Sequence, residues 1–203
     1  VARQVGYVAQ TPDVQIFSTS VDEEVSFALR HLGYRRAVIE ERVTRALAAM
    51  DLLEERAMPP LALPRGDRAR VVIAAMLAMD PDVIVFDEPT TGQDYQGARA
   101  ILDVSRRLHK AGKTIIVVTH HLHLMPDYAR RMVVLSAGEV RLDAPLRRAF
   151  HSIEQLQGSF LDPPQAVYLA RRLAQVVERE LPLVTPEEVA ACFAPCARGR
   201  QAS

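Results

Sequence analysis

Two adjacent carboxylates, Asp87 and Glu88, follow an apolar run over residues 83–86 and precede Pro89. An apolar run of this length that ends in turn-forming residues predicts a buried strand, so both acids lie at its carboxyl end. In nucleotide hydrolysis, the first acid of such a pair serves the magnesium ion and the second can polarise the attacking water. Because acidic residues commonly end strands in solvent, a purely structural role is the alternative.

Two further polar residues follow predicted strands. Gln10 comes directly after the apolar run over residues 5–9, and His120 follows the run over residues 115–118 by one residue. In parallel α/β sheets, ligands bind beyond the carboxyl ends of the strands. We therefore expect both side chains to converge with the acidic pair on one crevice.

The elements that must hold these residues alternate along the chain. The spacing of apolar residues predicts helices over residues 20–33, 39–50, 67–79 and 98–112. Besides the three strands above, it predicts a strand pair over residues 131–135 and 139–142 with Gly138 in the turn. Apolar strands that alternate with helices favour a parallel sheet covered on both faces, so we assign the chain to the α/β class.

Two stretches depart from this alternation. Residues 11–62 contain helical patterns and loops without a strand, which predicts a helical subdomain within a domain over residues 1–150. After residue 150, Pro163-Pro164 opens one helix, and Thr185–Glu188 supplies the N-cap, first-turn proline and capping box of another. We expect residues 151–203 to form a small C-terminal helical extension with a polar tail.

The composition narrows the classes of function. The chain contains 25 Lys+Arg and 25 Asp+Glu, so a large basic surface is not indicated and we expect no nucleic acid partner. The longest apolar run, residues 71–79, is too short to span a bilayer, and no secretory signal is visible.

We expect Cys192 and Cys196 to be reduced thiols. Because residue 1 is Val, we expect the chain to be cut from a longer one.

The order and spacing of these motifs resemble the nucleotide-binding subunits of ABC transporters over nearly the whole chain. Gln10 matches the Q-loop, residues 63–67 the signature, Asp87-Glu88 the Walker B motif, Asp94 the D-loop and His120 the H-loop. The resemblance implies an ABC-type P-loop NTPase fold with ATP and Mg²⁺ as ligands. It also implies a transmembrane transporter component and a second nucleotide-binding subunit as partners, at the cytoplasmic face of the cell membrane.

By the same resemblance, each matched residue has a role. Asp87 holds magnesium, largely through water, and Glu88 is the general base. Gln10 contacts magnesium or the attacking water and links the nucleotide to the membrane partner. His120 contacts the γ-phosphate, and Asp94 acts across a dimer interface. For Asp94, capping of the helix that follows is the alternative.

A narrower resemblance is to the energy-coupling-factor and cobalt-uptake branch of this family. It is carried by residues 13–18, 21–27, 163–165 and 183–188. This branch powers the import of vitamins or of nickel and cobalt ions.

The Walker A loop, G-x-x-x-x-G-K-[ST], does not occur in the 203 residues. Its amides and lysine bind the phosphates, so triphosphate affinity largely depends on it. In the family the loop precedes the Q-loop by some tens of residues, and we therefore expect it before Val1. Without it, the chain as given is expected to be inactive on its own.

The signature is also altered, because Leu63-Pro64-Arg65-Gly66-Asp67 stands where the family has Leu-Ser-Gly-Gly-Gln. Pro64 has neither a hydroxyl nor an N–H, and Arg65 adds a side chain where bare backbone approaches the γ-phosphate. Asp67 brings negative charge towards the nucleotide, whereas Gly66 keeps the family's residue for nucleotide contact. We expect a weak signature and hence an asymmetric dimer with one competent and one degenerate ATP site.

Two alternatives stay open beside the ATPase of an importer. One is a catalytically inactive pseudo-ATPase that serves as a structural or regulatory partner in an asymmetric transporter dimer. The other is an ABC-type ATPase of DNA repair, which the absence of a long coiled-coil insertion and the neutral charge disfavour.

Overall fold

Parallel strands form the sheet of the first of two units, into which the chain divides after Thr119. The computed structural model describes residues 4–197. Strands β1 (Val5–Val8), β2 (Val83–Asp87) and β3 (Thr114–Val118) lie side by side in that order, and both pairings are parallel. The predicted α/β class with a parallel sheet is confirmed.

β1 is one residue shorter than predicted because the chain turns after Val8. The Ala9 amide donates to the side-chain oxygen of Gln15 at 2.8 Å instead of to a neighbouring strand. A 3-10 helix, Pro12–Val14, follows. Gln10 therefore lies in the turn that leads out of the sheet.

Four helices complete the first unit: α1 (Val21–His31), α2 (Arg36–Ala49), α3 (Arg65–Ala78) and α4 (Tyr95–Lys110). Between β1 and α3 the described chain contains only helices, 3-10 turns and loops. α3 packs against α1, α2 and β1, and its residues Val71, Ile73 and Ala74 are almost fully buried. The apolar character that predicted a buried helix here is the reason that α3 forms the centre of the core.

The ends of α1 are those that the sequence predicts. Ser20 Oγ accepts a hydrogen bond from the Glu23 amide at 3.2 Å, as in a capping box. The Glu23 carboxylate accepts from the Thr19 amide at 3.3 Å. At the other end, Gly33 adopts φ +74°, and its amide donates to the Arg30 carbonyl at 3.0 Å.

α3 begins two residues before its predicted start at Asp67. The Pro64 carbonyl accepts from the amides of Asp67 and Arg68, both at 3.0 Å, and this closes a first turn that starts at Arg65. Proline suits the N-cap position because no amide hydrogen bond is required there. The altered signature is therefore the N-cap and first turn of α3.

The second unit contains an antiparallel hairpin formed by β4 (Arg131–Ser136) and β5 (Glu139–Pro145). Gly138 lies in the predicted turn with φ +77°. β5 runs three residues beyond its predicted end at Leu142. Arg131 and Asp143 extend the pairing, because their side chains form a hydrogen bond of 2.7 Å across the strands.

The other regular elements among the described residues of the second unit are helices: a 3-10 helix (Leu122–Asp127), α5 (Leu146–His151), α6 (Ile153–Gln157), α7 (Gln165–Val177) and α8 (Pro186–Ala197). The sequence predicts α7 and α8 but not the three shorter helices, which span only five or six residues each. Such short segments do not complete enough turns to show a helical period. Phe150, Leu156 and Val167 are buried in this unit.

The predicted capping box of α8 is present. The Glu188 amide donates to Thr185 Oγ1 at 3.2 Å, and the Glu188 carboxylate accepts from the Val184 amide at 2.8 Å. Arg147 of α5 donates to the same carboxylate at 3.1 Å. α8 is therefore held to α5 by an ion pair as well as by its own cap.

Among residues 4–197, no helix combines the length and the apolar character needed to cross a bilayer. Cys192 carries an exposed, free thiol. The predicted polar tail lies outside the described residues after Ala197.

Candidate functional site

The acidic pair lies at the carboxyl end of β2, the central strand of the three. Ile84 and Phe86 of this strand are buried in the core, so the alternation of side chains along the strand directs Asp87 to the opposite face. Glu88 follows immediately with φ +47°, and its amide donates to the Val118 carbonyl at 2.8 Å. This bond to β3 fixes the sharp change of chain direction after the strand.

Two threonine hydroxyls contact the Glu88 carboxylate. Its Oε2 accepts from Thr119 Oγ1 at 3.3 Å and lies 3.5 Å from Thr91 Oγ1. Glu88 itself is half-buried. A carboxylate at this position has the chemistry needed to accept a proton from water.

Asp87 has a partner that the sequence analysis did not identify. The Tyr7 hydroxyl of β1 donates to Asp87 Oδ2 at 2.8 Å. This bond raises the pKa of the Tyr7 phenol above its ordinary value, because the nearby carboxylate favours the protonated hydroxyl. The contact depends on the β1–β2 register, which the sequence does not provide.

Gln10 and Glu88 line one small crevice, together with Arg65 and Gln93. Of the residues expected to converge, Gln10 and Glu88 are thus brought together, whereas Asp87 is not among the residues that line this crevice. His120 belongs to the second unit, where its ring centroid lies 4.2 Å from that of His121. Its approach to the nucleotide stays a prediction.

Two side chains fix the segment between β1 and α1, and sequence reasoning missed both. Arg68 of α3 binds Asp13 at 3.0 Å and also donates to two backbone carbonyls ahead of α3. The buried Glu24 accepts from the amides of Phe17 and Ser18 at 3.0 and 2.8 Å. The loop that follows Gln10 is thereby tied to both α1 and α3.

The altered signature contacts the D-loop of the same chain. A Cβ atom placed on Gly92 would lie 3.3 Å from the Arg65 guanidinium carbon, and one on Gly66 would lie 3.0 Å from the Gln93 side-chain oxygen. Asp67 forms an ion pair of 3.4 Å with Arg70, one turn along α3. Arg65 therefore packs against Gly92.

Asp94 caps α4. Its Oδ1 accepts from the Gly97 amide at 2.7 Å, and its backbone has the extended conformation of an N-cap residue. Helix capping, the alternative role that the sequence offered for Asp94, is therefore observed. It does not exclude a second role at a dimer interface, which stays a prediction.

The donor set suits a magnesium ion. Asp87 is the last residue of β2, and Gln10 lies two residues after the end of the neighbouring parallel strand β1; their side chains offer a carboxylate and an amide oxygen. Oxygen donors of this kind are those that Mg²⁺ prefers, usually with several waters retained. A carboxylate has about four lone-pair sites, so the Tyr7 bond leaves capacity for a metal-bound water on Asp87.

Comparisons with known proteins show which family the chain resembles. The sequence profile of the ABC transporter family matches residues 1–91. A putative ABC transporter ATP-binding protein of Methanosarcina mazei is 44% identical over 83% of this chain and 29% of its own length. The energy-coupling factor transporter ATP-binding protein EcfA of Methanocaldococcus jannaschii is 38% identical over 83% of this chain and 61% of its own length.

Among solved structures, cbiO1 of Clostridium perfringens, described as part of the ABC transporter complex cbiONQ, aligns with a TM-score of 0.69 and 30% identity. The alignment covers 87% of this chain and 68% of cbiO1. By contrast, the chain spans less than a third of the Methanosarcina mazei protein, at 29%. The fold, the motif order and these similarities together place the chain in the family of ABC transporter ATP-binding proteins.

Proposed function

We propose that this chain is part of the ATP-hydrolysing subunit of an ABC importer of the energy-coupling-factor type. The observation that carries the proposal is the crevice at the carboxyl ends of β1 and β2, which Gln10 and Glu88 line together. Glu88 accepts a proton from the attacking water. Asp87 and Gln10 hold Mg²⁺, which when bound neutralises charge on the phosphates.

The names of two relatives support the proposal of a membrane partner. EcfA is named as part of an energy-coupling factor transporter, and cbiO1 as part of the complex cbiONQ. We infer that this chain acts at the cytoplasmic face of the membrane with a transmembrane component and a second ATP-binding subunit. The cargo is then a vitamin or a nickel or cobalt ion, taken up as the substrate.

We further propose that a segment upstream of Val1 carries the Walker A loop. One face of the described sheet supports this proposal: Ile116 and Val118 of β3 are 47% and 50% exposed, and Tyr7 of β1 is 52% exposed. Apolar strands of a parallel sheet are ordinarily covered on both faces. A further strand and helix would bury this face and present the phosphate-binding amides beside Asp87.

The altered signature favours the pseudo-ATPase as the second candidate. Pro64 supplies no hydroxyl at the N-cap of α3, and the side chain of Arg65 packs against Gly92. A subunit with this signature contributes weakly to the ATP site of its partner. The two candidates differ in whether the full-length protein binds and hydrolyses ATP.

The test is magnesium-dependent phosphate release by the full-length protein, compared with its Glu88→Gln variant. Removal of a general base is expected to lower turnover by about 10²-fold or more while ATP binding is retained. The matched control is Glu54→Gln at an exposed loop position, which should leave turnover unchanged. Absence of ATP binding in the wild type would establish the pseudo-ATPase, and equal turnover in Glu88→Gln would remove Glu88 from the chemistry.

A further inference from the structure

The hydrogen bond between Tyr7 and Asp87 joins two strands at the proposed metal site. Tyr7 lies opposite Val85 in the β1–β2 register, and Asp87 is two residues further along β2 on the same face. A diagonal neighbour of this kind lies about 7–8 Å away between backbone positions, which an aromatic side chain can span. The geometry therefore places the Tyr7 hydroxyl on Asp87 Oδ2 at 2.8 Å.

The backbone around Tyr7 is held firmly. The Gln15 side chain donates to the Tyr7 carbonyl at 3.4 Å and accepts from the Ala9 amide at 2.8 Å. It therefore bonds to the backbone before and after the last residue of β1. On the preceding residue, a Cβ would lie only 2.6 Å from Met76 Cγ, and Gly6 therefore lets β1 pack directly on α3. The Tyr7 side chain therefore extends from a well-supported strand.

We propose that Tyr7 is a positioning residue for the magnesium-binding carboxylate of Asp87, an inference that rests on the proposed function. By donating to Oδ2, the hydroxyl fixes the orientation of the Asp87 side chain before the metal arrives. The other lone pairs of the carboxylate then meet the metal-bound water without a loss of side-chain freedom. Loss of a residue that orients a metal ligand in this way typically lowers metal affinity by about 10–100-fold.

Tyr7 also links Asp87 to the segment that carries Gln10. Tyr7 lies in β1, and Gln10 follows it by three residues in the turn after this strand. The two residues assigned to magnesium are therefore connected through one hydrogen bond and one short piece of backbone. A shift of β1 would move the Tyr7 hydroxyl and, with it, the orientation of Asp87.

The experiment compares the full-length wild-type protein with Tyr7→Phe, which removes only the hydroxyl. Because phenylalanine keeps the aromatic ring and nearly its volume, the variant is expected to fold. Mn²⁺ serves as the probe, and its affinity for the nucleotide-loaded protein is measured by electron paramagnetic resonance. Nucleotide affinity in the presence of a chelator and the melting temperature are measured beside it.

We expect Tyr7→Phe to weaken Mn²⁺ binding by about 10-fold, the lower end of the range for outer partners of metal ligands. Nucleotide affinity without metal and the melting temperature should stay at the wild-type values, because a merely structural role would change them first. The matched control is Tyr168→Phe, which removes a Tyr–Asp hydrogen bond of 3.1 Å to Asp162 in the second unit. It should leave Mn²⁺ affinity unchanged.

Equal or tighter Mn²⁺ binding by Tyr7→Phe would overturn the inference while the proposed function stands. If the wild type binds nucleotide but not Mn²⁺, the assignment of Asp87 to the metal fails, and the role of Tyr7 fails with it. If the wild type binds neither, the proposed function itself is overturned. These three patterns are distinct in the same set of measurements.

Discussion

The carboxylate of Asp94 has one role that the geometry describes and one that the family resemblance implies. Its bond to the Gly97 amide satisfies one of the free amides at the start of α4. The same residue occupies the D-loop position, where a role across a dimer interface is expected. The two roles make different demands on the side chain, because capping needs only an oxygen and the second role needs the charge.

Substitution of Asp94 can separate these roles. Asn caps helices about as well as Asp, so Asp94→Asn should leave the free energy of unfolding nearly unchanged, whereas Asp94→Ala should lower it by about 0.5–2 kcal/mol. We expect Asp94→Asn to reduce ATP turnover of the full-length protein all the same. Denaturant unfolding and phosphate release measure the two quantities. Wild-type turnover in Asp94→Asn would leave capping as the whole role.

At the scale of single residues, the sequence predicted that the acidic pair and Gln10 lie at strand ends, but not which side chains hold these segments in place. Asp87 and Glu88 are visible because an apolar strand ends in two acids, a signal confined to a few neighbouring positions. Tyr7 and Arg68 act on residues 80 and 55 positions away, at Asp87 and Asp13. Such contacts depend on strand register and helix packing, which no local pattern encodes.

At the scale of elements, α8 is anchored by one carboxylate. The hydrogen bond from Arg147, together with the amides of Val184 and Thr185, lowers the pKa of Glu188 to about 2 from an ordinary value of 4.5. A pKa that is lower in the folded state means that the ionised form stabilises the fold. The contribution is complete above about pH 4.5 and is lost as the pH falls towards 2.

We therefore expect Glu188→Gln to loosen α8 at neutral pH and to differ less from the wild type as the pH falls below 4.5. Native-state hydrogen exchange of the α8 amides, converted to opening free energies, measures the difference. Glu187→Gln is the matched control, because this neighbour is exposed and carries the same charge. A difference between Glu188→Gln and the wild type that stays constant across this pH range would argue against ionic anchoring.

The long elements were predictable and the short ones were not. α1 to α4 and α7 each repeat their apolar residues over several turns, and α8 is marked by a local capping box. α5 and α6 have no such length, and the start of α3 depended on the Pro64 carbonyl rather than on an apolar period. In each case the missing information was tertiary or was carried by backbone atoms.

At the scale of the whole molecule, the altered signature predicts unequal ATP sites in the assembled dimer. Replacing Pro64→Ser, Arg65→Gly and Asp67→Gln in the full-length protein would restore a hydroxyl and bare backbone at the start of α3. We expect turnover to rise roughly tenfold, which corresponds to about 1.4 kcal/mol, the scale of one recovered hydrogen bond. Phosphate release is the measurement, with melting temperature and ATP affinity as controls. Unchanged turnover would count against asymmetric sites.

The exposed strand β3 carries a risk of aggregation while the protein is synthesised. It is the outermost of the three described strands on its side, and its apolar residues Ile116 and Val118 are about half exposed. An outer strand offers unpaired amides and carbonyls as a template on which another chain can add a strand. A short, uncharged, β-branched segment such as residues 115–118 is prone to this self-association. A segment that covers β3, as proposed above, would therefore also protect it from aggregation during synthesis and assembly.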